Sequence, residues 1–154
     1  MVDITEVSTI VAAVSVIIGV VFTVMEIRHL ARTRRTDVIL KIYDRFCSRE
    51  MVEAMYKVGP AKTETFQDYT KKYGLTEVTQ IAVLFEGLGA LLEQNLIDIK
   101  LVDSLFGSSL NLLWDSISHL IYGMRESLKE PFFFSHFEYL HNRLITYRKR
   151  TAKT

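Results

Sequence analysis

Apolar and polar positions divide the chain into one long uncharged stretch followed by a series of amphipathic segments. From Val7 to Met25, 19 consecutive residues carry no charge, about 28 Å of helix at 1.5 Å per residue and close to the ~30 Å hydrocarbon core of a bilayer. Val, Ile and Thr are mediocre helix formers in water, but in lipid every backbone group must be bonded internally, so the stretch has to be helical there. The pattern predicts a transmembrane helix over 7–27 behind a short extracytoplasmic segment, 1–6. Val38, Ile39, Ile42 and Phe46 continue at helical spacing, so the helix is expected to run on as a juxtamembrane stalk, 28–46.

The remainder, 47–154, predicts a helical bundle. Ser48 reads as an N-cap for a short helix carrying Met51, Val52, Met55 and Tyr56, stopped by Gly59-Pro60. Phe66, Tyr69 and Tyr73 form a second short helix closed by Gly74. Thr76 is expected to cap the strongest core segment, with Ile81, Leu84, Leu88, Leu91 and Leu92 on one face and an end at Asn95. A short helix is expected from Asp98 to Gly107, then a long one carrying Leu110, Leu113, Trp114, Ile117, Leu120, Ile121 and Met124 and ended by Pro131. Ser135 and Glu138 have the spacing of a capping box that opens a last helix with Phe137, Leu140, Leu144 and Tyr147 inside. No alternating run bounded by turn residues is long enough for a strand. The fold class is all-α, with two long antiparallel core helices, a third closing the group and short helices between them.

Composition narrows this picture little: 24% charged residues, 49% hydrophobic ones, 7 Gly and 2 Pro in 154 residues exclude disordered and collagen-like classes. One cysteine, Cys47, rules out an intramolecular disulfide and suits a reducing compartment. Charge placement says more. Arg28, Arg32, Arg34 and Arg35 follow the apolar run and no basic residue precedes it, so the positive-inside rule places the bundle in the cytoplasm and the N-terminus outside. With Asp3 and Glu6 at the start and no A-x-A cleavage site, the segment is expected to be retained. Residues 36–142 hold 10 Lys/Arg against 15 Asp/Glu, and that acidic body argues against nucleic-acid binding. The basic end, with Arg148, Lys149, Arg150 and Lys153, reads either as a solvated helix terminus or as a tail that contacts anionic lipid.

Candidate chemistry is sparse. Ser15, Gly19 and Thr23 recur every fourth residue along the span and make a small-residue stripe that lets another helix approach. Two E-x-x-H pairs, Glu26/His29 and Glu138/His141, together with Glu86 and Glu93, have the residue types of a carboxylate-bridged di-iron site. Glu26 and His29 lie at the membrane boundary, however, and Glu138 is assigned to the capping box. Glu86, Arg125 and Trp114 bring a carboxylate, a guanidinium and an indole into apolar helices; an ion pair between the first two with Trp114 packed beside it is the structural expectation, since buried charges are normally paired. Phe132-Phe133-Phe134 closes the core or rests on a membrane or partner. No phosphate loop, dinucleotide fingerprint, thiol pair, zinc-protease motif or nucleophile elbow occurs, so no enzyme activity and no cofactor are expected.

The N-terminal span running into arginines, Phe85-Glu86-Gly87-Leu88-Gly89, Leu96-Ile97, Leu101-Val102, Phe106-Gly107, Trp114, Arg125 and Phe137-Glu138-Tyr139-Leu140 follow one another in an order that resembles an uncharacterised family of small prokaryotic single-span membrane proteins, catalogued only as a domain of unknown function. The resemblance covers most of the chain and supplies no reaction, cofactor or substrate. The expected function is a non-enzymatic membrane-anchored helical module of the cell membrane, with the lipid bilayer and either itself or another membrane protein as partners. Two alternatives stand beside it: a homo-oligomeric pore lined by Ser15, Thr23 and Glu26, and a metal-binding helical protein using the E-x-x-H pairs.

Overall fold

The computed structural model describes residues 4–152, apart from the side chains at 4–7, 10, 11 and 30–36. It is all-helical: α1 (Ile4–Phe46), α2 (Arg49–Lys57), a 3₁₀ turn (Gly59–Thr63), α3 (Phe66–Tyr73), α4 (Thr76–Glu93), α5 (Ile99–Leu128) and α6 (Ser135–Thr151), with no strand among the described residues. Its contacts divide it into two units, one ending at Val38 and one beginning at Ile39.

The first unit is the greater part of α1. Within it Ala12–His29 is long and apolar enough to cross a membrane, and none of its side chains is buried among the described residues. Val16, Ile17, Phe22, Met25 and Ile27 are each more than 60% exposed, a condition that single surface residues tolerate in water but a continuous five-turn helix does not.

The second unit takes in the last two turns of α1, because Ile39 and Phe46 are buried in its core. Ser48 caps α2 by accepting from the Met51 amide at 3.3 Å, and Gly74, at φ 76°, closes α3 as its lack of a Cβ permits. Thr65 caps α3 in the same way, accepting from the Asp68 amide at 3.2 Å. Helices α5 and α6 run antiparallel, since Arg125 meets Glu138 near the turn between them while Asp103 meets Arg148 at the far end. Helix α4 lies against α6 in the most extensive helix contact of the unit. An aromatic chain crosses this core. Trp114 meets Phe137 edge-on at 4.9 Å, Phe137 stacks on Phe85 at 4.9 Å, and Phe85 meets Phe46 at 5.9 Å. It therefore links α5, α6, α4 and α1, each pair adding about 0.5–1.5 kcal/mol beyond its buried area.

Three local expectations are corrected. Asp98 does open a helix, but that helix does not stop at Gly107; α5 runs unbroken from Ile99 to Leu128. Gly107 lies inside it because a Cβ there would run into the paired side chains of Asp103 and Arg148, so the glycine answers to a close approach and not to a helix end. Thr76 is the first helical residue of α4, whose N-cap position is held by Leu75 without a side-chain bond. The capping box at Ser135 does not form. Phe134 occupies the N-cap of α6 at φ 56° with no side-chain bond, and Glu138 turns toward α5 instead.

The glycines of α4 divide by environment, and this gives a test. A Cβ on Gly89 would strike the His136 backbone, whereas one on Gly87 would have nothing within 4 Å. Gly89→Ala should destabilise the unit by about 1–3 kcal/mol through overpacking, while Gly87→Ala should stabilise it by up to about 1 kcal/mol through helix propensity. Urea unfolding of the full-length protein in detergent, followed by the fluorescence of Trp114, the single tryptophan, reads both signs.

Candidate functional site

The polar groups of the helical unit gather in two places on α6. At its first turn, Glu86 of α4 places one carboxylate oxygen 2.8 Å from Nδ1 of His136 and accepts with the other from the Phe137 amide at 2.8 Å. That second bond satisfies one of the amides a helix start leaves open, so α6 is capped from a neighbouring helix and not by its own Ser135. Nε2 of His136 lies 3.1 Å from Glu93, one to two turns along α4 from Glu86. The hydrogen bond to Glu86 is the main cause that raises the His136 pKa above 6.5, with the charges of Glu86 and Glu93 adding to it and desolvation opposing.

Near the turn between α5 and α6, Arg125 is the fastening group. Its Nε donates to the Phe133 carbonyl at 2.8 Å, its other nitrogens donate to Glu138 at 2.8 Å and to the Phe134 carbonyl at 3.3 Å, and its guanidinium lies 5.1 Å from the Tyr122 ring centre. Tyr122 also donates to Glu138, at 3.0 Å. The expected pair of Glu86 with Arg125 is therefore overturned. Each takes a partner on α6 instead, because the helix-start amide draws the carboxylate and the exposed carbonyls of the turn draw the guanidinium. The Trp114 ring packs on Phe137 and stacks on His141 at 5.3 Å.

The di-iron pattern is not assembled. Glu138 is held by Arg125 and Tyr122, Glu86 and Glu93 both face His136, and desolvation lowers the pKa of His141 in its place against Trp114. Among the described residues no group of three His, Cys, Asp or Glu is placed to hold a metal ion. His119 is half-buried, its Nε2 lying 3.1 Å from the Glu64 carbonyl. Of the Phe132–Phe134 run, Phe134 is buried in the core and Phe132 is 79% exposed.

Of the basic tail, Arg148 is tied to Asp103 at 2.7 Å and serves the packing of α6 on α5, while Lys149 and Arg150 are exposed and Lys153 lies outside the described residues. On α1, Ser15, Gly19 and Thr23 are all exposed, and the Thr23 hydroxyl donates to the Gly19 carbonyl at 2.9 Å. Arg28 is exposed; the side chains of Arg32, Arg34 and Arg35 lie outside the described residues.

A feature that sequence reasoning missed is an apolar groove of about 800 Å³ between the last turns of α1 and the outer face of α4. Its wall on α4 runs from Thr76 through Val83 and Gly87 to Leu91, and Lys41 and Arg45 stand on the α1 side. The signal was present in Val83 and Gly87, off the inner stripe of α4, but only the approach of α1 converts that face into a groove.

A family model described as a domain of unknown function, DUF4760, matches residues 13–144. The chain belongs to the DUF4760 family. No curated protein and no solved structure matches it. The DUF4760 match takes in Glu86, Arg125, His136 and the groove, and it stops before Arg148 and the rest of the basic end. The parts that fasten α6 to α4 and α5 near its start thus lie within the family's extent.

Two outcomes follow for these groups. Arg125→Lys should lower stability by about 1–3 kcal/mol, because an ammonium cannot reproduce a planar fork that bonds a carboxylate and two carbonyls together; equilibrium unfolding measures it. For His136 the folded pKa is raised, so the stability its charge contributes is complete below pH 6.5 and is lost as pH rises through the folded value. Glu86→Gln should accordingly lower the urea midpoint more at pH 5.5 than at pH 8.5.

Proposed function

We propose that this DUF4760 protein is a membrane-anchored helical module without enzymatic activity, acting through self-association or as an accessory subunit of a membrane assembly. The observation that carries the reading is the Ala12–His29 segment of α1, apolar, of membrane-spanning length and with no side chain buried among the described residues. A helix of that kind finds its surroundings in lipid or in another protein's helices. The stripe of Ser15, Gly19 and Thr23 supports the second environment. Gly19 has nothing within 4 Å of a Cβ position, and Thr23 satisfies its hydroxyl on its own helix, so a partner backbone can come close without an unpaired polar group. The arginines from Arg28 to Arg35 favour a cytoplasmic location for the helical unit, with the N-terminus outside, by the positive-inside rule. The same arginines, with Lys149, suit anionic lipid headgroups.

The mass of the full-length protein, extracted gently from native membranes into nanodiscs, tests this. The expected result is a discrete homo-oligomer or a complex with a copurifying membrane protein, disrupted by Gly19→Leu. A strict monomer with no copurifying partner would refute the reading. Orientation is checked separately through Cys47, the single cysteine, which is exposed: in intact cells a membrane-impermeant maleimide should label it only after permeabilisation.

A further inference from the structure

We infer that the groove between α1 and α4 binds one long-chain carboxylate, a fatty acid, with its chain along α4 and its head at Lys41 and Arg45. The inference goes beyond the anchoring role and does not depend on whether the chain self-associates. Its first support is shape. The α4 wall extends from Thr76 to Leu91, about 22 Å of helix at 1.5 Å per residue. The groove is therefore long enough for a single extended hydrocarbon chain. Its total size is in the range of small-molecule sites, about 300–1,000 Å³.

The second support is the lining. Ile42, Met51, Val83, Leu84 and Leu91 make it apolar, and Gly87, where a Cβ would meet nothing, keeps the middle of the α4 wall open. Val83 is 57% exposed, so an apolar surface here stays wet unless something covers it. The third support is charge complementarity. Lys41 and Arg45 are the charged residues of the lining, and no carboxylate shares it. The acid paired with Arg45 is Glu50, at 4.0 Å and outside the groove, and the Arg45 side chain remains 61% exposed. Two cations one helical turn apart beside an apolar slot match an anionic head on an apolar chain, and Thr76, Thr79 and Gln80 add hydrogen-bonding groups on the α4 side.

The test is photolabelling of the full-length protein in nanodiscs with a diazirine-bearing palmitate, with labelled positions mapped by peptide mass spectrometry. Label should concentrate in residues 39–46 and 76–91, and unlabelled palmitate should displace it at least tenfold more effectively than the uncharged hexadecanol. Gly87→Phe, which fills the slot, should reduce label in both segments at least tenfold while Trp114 fluorescence stays unchanged. The double variant Lys41→Glu/Arg45→Glu, at surface positions, should reduce it at least fivefold. Equal labelling of Gly87→Phe, equal competition by hexadecanol, or indifference to the charge reversal would overturn the assignment. A change in oligomer mass on Gly87→Phe, with labelling of the two segments absent from the unaltered protein, would give the groove to a second copy of the chain and would overturn it as well.

Discussion

The close approach of α4 to the start of α6 is the contact on which the rest of the helical unit depends. It is made possible by one missing side chain, at Gly89, where the His136 backbone occupies the space a Cβ would take. With the helices that near, Phe85 can stack on Phe137 and Glu86 can reach both the Phe137 amide and the His136 ring. A single glycine thus sets an interhelical distance from which an aromatic stack, a helix cap and an ion pair all follow. The packing is dense enough that none of these could survive a separation of even one methyl group unchanged.

Polar groups in this unit serve to close helix ends. Glu86 caps the beginning of α6, and Arg125 holds the carbonyls of the turn that precedes it. At the other end of the α5–α6 pair, Arg148 and Asp103 lie over Gly107. These bonds join parts of the chain 8 to 51 residues apart: Glu86 meets an amide that a helix start leaves open, Arg125 meets turn carbonyls, and Arg148 meets the Asp103 carboxylate. The described residues accordingly show a core of apolar and aromatic side chains, with charged groups placed around its margin.

Uncovered apolar surface is distributed differently. Along Ala12–His29 it is continuous and encircles the helix, as a lipid environment requires. On the outer face of α4 it lines a groove that also carries two cations, Lys41 and Arg45, a combination that suits a small amphiphile better than a bilayer. The first surface suits a uniformly apolar solvent, and the second suits the proposed ligand with a charged end.

Much of this was legible in the amino-acid sequence because it rests on local periodicity. The uncharged run, the continuation of α1 to Phe46, the Ser48 cap, the glycine stop at Gly74 and the all-helical class each depend on residues within a few turns of one another. What the chain alone misassigned were the glycines and the charges. Gly107 has the composition of a helix stop and is instead a point of close approach; Ser135 and Glu138 have the spacing of a capping box and instead yield to Glu86 and Arg125. A glycine permits both a helix end and a close crossing, and a carboxylate bonds any donor that comes within reach. Local sequence therefore determined where the chain is helical and which face of each segment is apolar, whereas only tertiary packing, by bringing α6 against α4 and α5 and α1 beside α4, decided that Gly107 is a crossing point within α5, which charges pair and where a groove opens.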